Sequence, residues 1–316
     1  MPDSLVQPLF DGPIDVVGDV HGEIDALTSL LRHLGYAEDG RHPEQRRLVF
    51  VGDLVDRGPD SPAVVALVRE LMGAGRAQCV LGNHEFNILL KEKKLDNHWF
   101  FGEESSLDKE HPEEITPAVL ADVSLRKSLR DFFASLPLVL EGADLRVVHA
   151  CWDDEMVDLA RHATRTKALY KKHLDLISQR HPSSELDNVD RELEHQNLNP
   201  VKLLTSGKEC RVKQTFEAGG KLRHEKRVEW WKDYESETLC LFGHYSNDRE
   251  KVSKKQLSGR AICVDFSVGK RWEDRKRKDF DGKFKGYLAA VRFPEGRLVF
   301  DDGQERMLGN GPPNAT

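Results

Sequence analysis

Six short apolar runs in this chain each end in a polar residue or cluster, and no other feature restricts the fold as strongly. "IDVV" (14–17) runs into GDVHG (18–22), "RLVFV" (47–51) into GDLVDRG (52–58), and "AQCVL" (77–81) into GNHE (82–85). Further on, "LRVV" (145–148) runs into His149, "LCLF" (239–242) into GHYS (243–246), and "AICV" (261–264) into Asp265. Runs of this length and composition predict buried strands, and the glycine that follows four of them lets the backbone turn sharply. Helical patterns separate the first three. Ile24, Leu27, Leu31 and Leu34 keep a helical period, and Ser61-Pro62 reads as an N-cap with proline at the first helical position. Val64, Val65, Val68, Leu71 and Met72 then form a stripe closed by Gly73 and Gly75. Alternating strands and helices predict right-handed crossovers, parallel strands and an α/β fold. Ligands gather at the carboxyl ends of such strands, so clusters far apart in sequence should converge on one rim.

The clusters contribute Asp19, His21, Asp53, Asn83, His149 and His244, all oxygen or imidazole-nitrogen donors without sulfur. Such a set suits Mn, Fe, Zn or Mg. A single catalytic ion keeps an open position and does not take six protein ligands. Two ions about 3.5–4 Å apart, sharing a carboxylate, fit better and can clamp both oxygens of an in-line displacement at phosphorus. Taken singly, each residue has a plainer use: Asp19 or Asp56 as a cap, His21 in solvent, Arg57 as a surface charge, His149 and His244 as core histidines. Their order, each after a strand, favours the shared site.

GDVHG, GDLVDRG, GNHE, His149 and Gly243-His244 resemble the motifs of the calcineurin-like metallophosphoesterases, the superfamily of the phosphoprotein phosphatases. About thirty residues separate consecutive N-terminal blocks, as strand–helix–strand units require. The resemblance is dense over 14–90 and returns at 145–150, 239–246 and 261–300. It implies a four-layer α-β-β-α sandwich with two divalent ions, manganese first among them. Asp19, His21 and a bridging Asp53 would hold the first ion; Asp53, Asn83, His149 and His244 would hold the second. Water or hydroxide between them would attack phosphorus. His84 would be the general acid, Asp56 its orienting carboxylate, and Arg57, with Asn83, the phosphate contact. Arg211 and Arg227 are candidates for a second phosphate-binding arginine. "HACWD" and "GHYS" depart from the usual family blocks, which leaves the role of Cys151 and Trp152 open. "GDLVDRGPDSPAVVALV", GNHE and the late "CVDFSVG" and "GYLAAVRFPEGRLV" look like the bacterial branch, which includes symmetric dinucleoside tetraphosphatases and the phosphatase part of polynucleotide kinase-phosphatases. "TSGKEC" does not complete a Walker A motif, so a kinase part is not expected.

The leading expectation is therefore a phosphoprotein-phosphatase-like monoesterase. A symmetric bis(5'-nucleosyl)-tetraphosphatase or other nucleotide phosphohydrolase is the alternative, and a metal-bound, partner-binding module the non-enzymatic one. At 316 residues, with 39% hydrophobic and 32% charged, the chain can bury a sizeable core. A net charge of −7 gives no overall footprint for nucleic acid, and stable binding to it is not expected. Lys270–Lys278 is the local exception, either a solvated loop or a rim for an anionic substrate. Five scattered cysteines, no membrane-length apolar run and no secretory pattern lead to a cytoplasmic expectation. One domain is expected over 1–305, with polar insertions at about 91–128, where Trp99-Phe100-Phe101 would serve as an anchor, and at 153–236, and with a disordered tail at 306–316.

Overall fold

The computed structural model describes residues 3–102, 117–180, 187–218 and 221–309. Its early strands are β1 (Val6–Pro8), β2 (Ile14–Val17), β3 (Arg47–Phe50), β4 (Ala77–Cys79), β5 (Val139–Glu141) and β6 (Leu145–Val148). β7 (Glu209–Ala218) and β8 (Lys221–Arg227) follow, then β9 (Leu239–Phe242), β10 (Ala261–Cys263), β11 (Ala289–Phe293), β12 (Arg297–Phe300) and β13 (Glu305–Met307).

Two sheets carry the site. One has the order β13-β12-β11-β2-β3-β4, the other β1-β5-β6-β9-β10. Within the first, β2, β3 and β4 are parallel, with Val16 opposite Val49 and Phe50 opposite Cys79. Within the second, β6, β9 and β10 are parallel, with Val147 opposite Leu241 and Cys263 opposite Phe242. All six expected strands are present, three in each of the two sheets, as the expected four-layer sandwich requires.

The strand pleat explains the layering. Val16, Val49, Val147 and Leu241 belong to an apolar layer that also takes in Ile14, Val264 and Val291. Their chain neighbours Val17, Phe50, Val148 and Phe242 pack instead with helical residues such as Leu27, Leu30, Val64 and Val68. Successive side chains point to opposite faces, so each strand is apolar on both and must be covered twice. Fully burying each such side chain stabilises the fold by roughly 1.5–3 kcal/mol. The result is the four-layer α-β-β-α sandwich.

Helix α1 (Ile24–Leu34) ends where Gly35 takes a φ of 91°, and α2 (Ser61–Gly73) starts one residue earlier than expected from a capping viewpoint. Its N-cap is Asp60, which accepts from the Ala63 N–H, while the Ser61 hydroxyl accepts from the Asp56 N–H. Helix α3 (Asn83–Leu90) begins inside GNHE.

The first insertion holds the turn Leu95–Asn97, the short helix His98–Phe101 and the start of helix Val123–Ser135; its residues 103–116 lie outside those described. Trp99, Phe100 and Phe101 are buried in the outer core, as an anchor should be. The second contains helices Asp154–Arg161, Thr166–Arg180, Asn188–Leu198 and Pro200–Ser206, then the β7–β8 hairpin. Of the segment 306–316 expected as a tail, Arg306 and Met307 pair with β12, and the Gly309 N–H donates to the Leu257 carbonyl. Residues 310–316 lie outside those described. Among the described residues no helix is long and apolar enough to cross a membrane.

Candidate active site

The loops after β2, β3, β4, β6 and β9 meet at one end of the sandwich, and glycine is required where they cross. A Cβ on Gly243 would stand 1.9 Å from Asp19 Oδ1, and one on Gly82 would stand 2.2 Å from Asp53 Oδ1. Five non-glycine residues of the site sit in the left-handed region: His21, Asp53, Asp56, Arg57 and His244. Such strain persists only where the surroundings over-determine it.

Glu85 is one source of that constraint, and sequence reasoning gave it no role. It is fully buried in the first turn of α3 and accepts from the N–H groups of Asp53, Leu54 and Gly82 at 2.8–3.0 Å. The only signal was its place as the last letter of GNHE. Burial lifts its carboxyl to about 7.

Asp53 Oδ2 is the hub. His149 Nε2 stands 3.3 Å from it, His84 Nε2 3.8 Å and His21 Nε2 3.9 Å. Asp53 Oδ1 accepts from the His84 N–H. Asp19 accepts from the His244 N–H at 3.0 Å and lies 3.9 Å from His21. Asn83 Oδ1 lies 2.8 Å from His244 Nδ1 and 3.1 Å from His149 Nε2. All six expected donors are thus gathered in one place, from two sheets.

Tautomers sharpen the picture. The His149 Nδ1–H donates to the Val51 carbonyl and the His21 Nδ1–H to the Val55 carbonyl, since a carbonyl only accepts. In the neutral rings both Nε2 atoms are then acceptors: that of His149 faces the Asp53 and Asn83 oxygens, and that of His21 faces Arg57 Nη1 with the Asp19 and Asp53 carboxylates further off. Lone pairs crowded this way need a proton or a cation between them. Donors bound at about 2.0–2.2 Å to a common ion stand roughly 3–3.5 Å apart, the spacing of His149 Nε2 from Asp53 Oδ2 and from Asn83 Oδ1. The residues therefore fit divalent cations. Among the described residues three groups have ligand-capable atoms all within 4.8 Å of one another: His21–Asp53–His84, Asp53–His149–His244 and, beside them, Asp56–His84–Asp96.

The charge states agree. Burial alone would keep His149 neutral, but Asp53 beside it pushes the ring up to about 10. Burial opposes charge on Asp53 too, yet His149 and His84 hold it well below the usual carboxylate range. Burial, reinforced by Arg57 and Arg227 respectively, holds His21 and His244 well below the ordinary histidine range.

Beside this cluster, His84 Nδ1–H donates to Asp56 Oδ2 at 2.7 Å, and Trp99 Nε1–H donates to Asp56 Oδ1 at 2.6 Å. Burial raises Asp56 to about 6 despite the His84 hydrogen bond. Burial works against a charged His84, but Asp53 and Asp56 outweigh it and its pKa is raised. Arg57 presents Nη1 3.1 Å from His21 Nε2 and Nη2 3.2 Å from His84 Nε2. Trp99 was readable only as an anchor, because its target lies 43 residues away.

Of the two candidate arginines, Arg211 is apart from the cluster, ion-paired with Asp187 and Asp190 on the surface. Arg227 reaches it, donating from Nη1 to the His244 carbonyl. Cys151 and Trp152 do not line the site; both pack in the outer core, with the Arg146 guanidinium 4.5 Å over the Trp152 ring. The Lys270–Lys278 stretch is neither a loop nor simply a rim. Arg271–Lys276 is helical, Arg271 is buried against Asp301, and Arg275 pairs with buried Glu23. Gly269, just before it, packs against His21 and Arg57: a Cβ there would stand 2.7 Å from His21 Cδ2.

Residues 12–270 match the sequence profile of the calcineurin-like phosphoesterases. The chain is 32% identical over 290 residues to a protein of Bacillus velezensis named bis(5'-nucleosyl)-tetraphosphatase PrpE [asymmetrical], covering 90% of each. A protein of the same name from Geobacillus thermodenitrificans is 45% identical over 294 residues, covering 89% of this chain and 91% of its own. The fold is similar to a cold-active protein-tyrosine phosphatase of a psychrophilic Shewanella, with a TM-score of 0.50, 16% identity, and coverage of 98% of this chain and 82% of that one. A protein serine/threonine phosphatase of Saccharomyces cerevisiae is similar to the same degree, with a TM-score of 0.50, 16% identity, and coverage of 98% and 86%. The chain belongs to the calcineurin-like phosphoesterases, hydrolases of phosphoric esters.

Proposed function

We propose that this chain is a dinuclear metal-dependent phosphohydrolase acting on dinucleoside polyphosphates, splitting a tetraphosphate into a nucleoside monophosphate and a triphosphate. The observation that carries the reading is the ring of imidazole and amide groups around Asp53, with the His84–Asp56 pair and the Arg57 fork directly beside it. Asp19, His21 and Asp53 would hold one ion; Asp53, Asn83, His149 and His244 would hold the other. When bound, the ions supply Lewis-acid charge and lower the pKa of water toward neutrality.

This chain's residues do the rest. Arg57 binds non-bridging phosphate oxygens with Nη1 and Nη2, which already face the cluster, and Asn83 stands beside them. Arg227 is the second phosphate contact, held at the rim by the His244 carbonyl. As water oxygen bonds to phosphorus, the bond to the leaving oxygen breaks, and that oxygen takes the proton from His84 Nε2. Asp56 holds the imidazole in the tautomer and charge state that this requires.

Asymmetric cleavage rests on the relatives' names together with identity across nine-tenths of both chains. It replaces the symmetric reaction considered from sequence. The test is product analysis with manganese-loaded protein and diadenosine tetraphosphate. AMP and ATP support the reading; two ADP would make the cleavage symmetric. No turnover of the tetraphosphate alongside rapid turnover of a phosphothreonine peptide would return the chain to phosphoprotein chemistry.

A further inference from the structure

The Arg57 fork is useful only if it points inward, and the side chain is a third exposed at the surface. A free arginine there samples many rotamers. Its Nη groups nevertheless face His21 and His84, and the structure shows what is on its other edge. Asp96 Oδ2 lies 3.5 Å from Arg57 Nε, and the Asp96 carbonyl accepts the Arg57 backbone N–H at 3.2 Å. The same carboxylate is 3.8 Å from His84 Nδ1.

Asp96 belongs to the first insertion, in the turn Leu95–Asn97, and that turn is itself pinned. Asn97 is fully buried; its Oδ1 accepts from the Lys94 N–H and its Nδ2 donates to the Glu92 carbonyl. Two residues further, Trp99 donates to Asp56. One short segment therefore touches both the phosphate-binding arginine and the carboxylate behind the acid.

An ion pair this exposed adds little to stability, typically about 0–1 kcal/mol. Its consequence is directional. The carboxylate beside Nε takes one edge of the planar guanidinium, and the carbonyl on the backbone N–H holds the Arg57 main chain next to it, which leaves the Nη1 and Nη2 edge toward the reacting phosphoryl group. We propose that Asp96 is a positioning residue that aims Arg57 at the substrate phosphate, so that the insertion completes the active site. This rests on the phosphohydrolase reading above.

The test is a double-mutant cycle of Asp96→Ala and Arg57→Ala, read by kcat and KM with nitrophenyl phosphate and by calorimetric binding of inorganic phosphate to the manganese-loaded protein. Asp96→Ala should weaken phosphate binding and lower kcat/KM about 10- to 100-fold, the scale of a small misplacement of a positioning group. In the Arg57→Ala background the same change should have less than a twofold effect. Asp96→Glu should recover part of the loss, and metal content should stay at the parent value. Equal losses in both backgrounds, or metal lost with Asp96→Ala, would overturn the assignment while leaving the phosphohydrolase reading intact. Failure of the parent protein to turn over any phosphoester would instead strike that reading.

Discussion

His84 is the residue at which chemistry and substrate class can be told apart. Its Nδ1–H is committed to Asp56, so only Nε2 is available to a leaving oxygen. A proton is needed most when that oxygen is a poor leaving group, as in a serine or alkyl phosphate, and least when it is a nitrophenolate. His84→Asn is expected to lower kcat for an alkyl phosphate by about 10²–10⁴-fold, with a much smaller loss for nitrophenyl phosphate. Steady-state kinetics on both substrates checks this, and equal losses would remove His84 from the acid role. Metal content by elemental analysis should not change. Most of this site was readable from short strings of sequence, because GDVHG, GDLVDRG and GNHE each place a donor next to a glycine that the geometry requires. The residues that orient those donors were not. Glu85 and Asp96 act through backbone N–H groups and a guanidinium edge, which no spacing rule encodes.

At the level of elements, the parallel strands β3 and β4 end in loops that are laced together by one side chain. Glu85, at the start of α3, accepts three backbone N–H groups from the loops after β3 and β4. Replacing it by alanine strands those donors in a buried place. The expected cost is about 1–3 kcal/mol per unsatisfied group, read as a lower melting temperature of the metal-free protein. Glu85→Gln keeps an acceptor and should cost less. Metal affinity should fall with both, since Asp53 hangs on the same loop. The helices and strands were largely predictable from apolar periodicity, and α2 shows the usual end error: Asp60, not Ser61, caps it. The second insertion was harder. Its helices and the β7–β8 hairpin are rich in charge, and what positions Arg227 is pairing with β7, visible only in three dimensions.

Over the whole molecule, the two sheets contribute different members of the proposed ligand set: Asp19, His21, Asp53 and Asn83 from one side, His149 and His244 from the other. Ions held between them would tie the sheets together, so chelation should lower the melting temperature by an amount that grows with the logarithm of free metal over its dissociation constant. Uptake should also release protons. In the metal-free protein His149, raised to about 10, carries a proton at neutral pH that a bound ion displaces. Affinity should therefore rise with pH up to about that value and fall as the medium becomes more acid. Titration calorimetry of manganese in two buffers of different ionisation heat checks the sign; no buffer dependence at pH 7 would contradict it. The α/β class was evident from the alternation of strands and helices, but the division into two sheets was legible only through the family resemblance, because strands covered on both faces look alike in either arrangement. That division has one more consequence. β1, near the start of the chain, lies in the sheet of β6 and β9, while β11 to β13, near its end, complete the sheet of β2. Each half of the sandwich borrows from the opposite end of the polypeptide, so a growing chain on the ribosome holds all six donors long before it has the strand that flanks β2. Nascent protein should stay inert toward nucleotides until synthesis has passed residue 300.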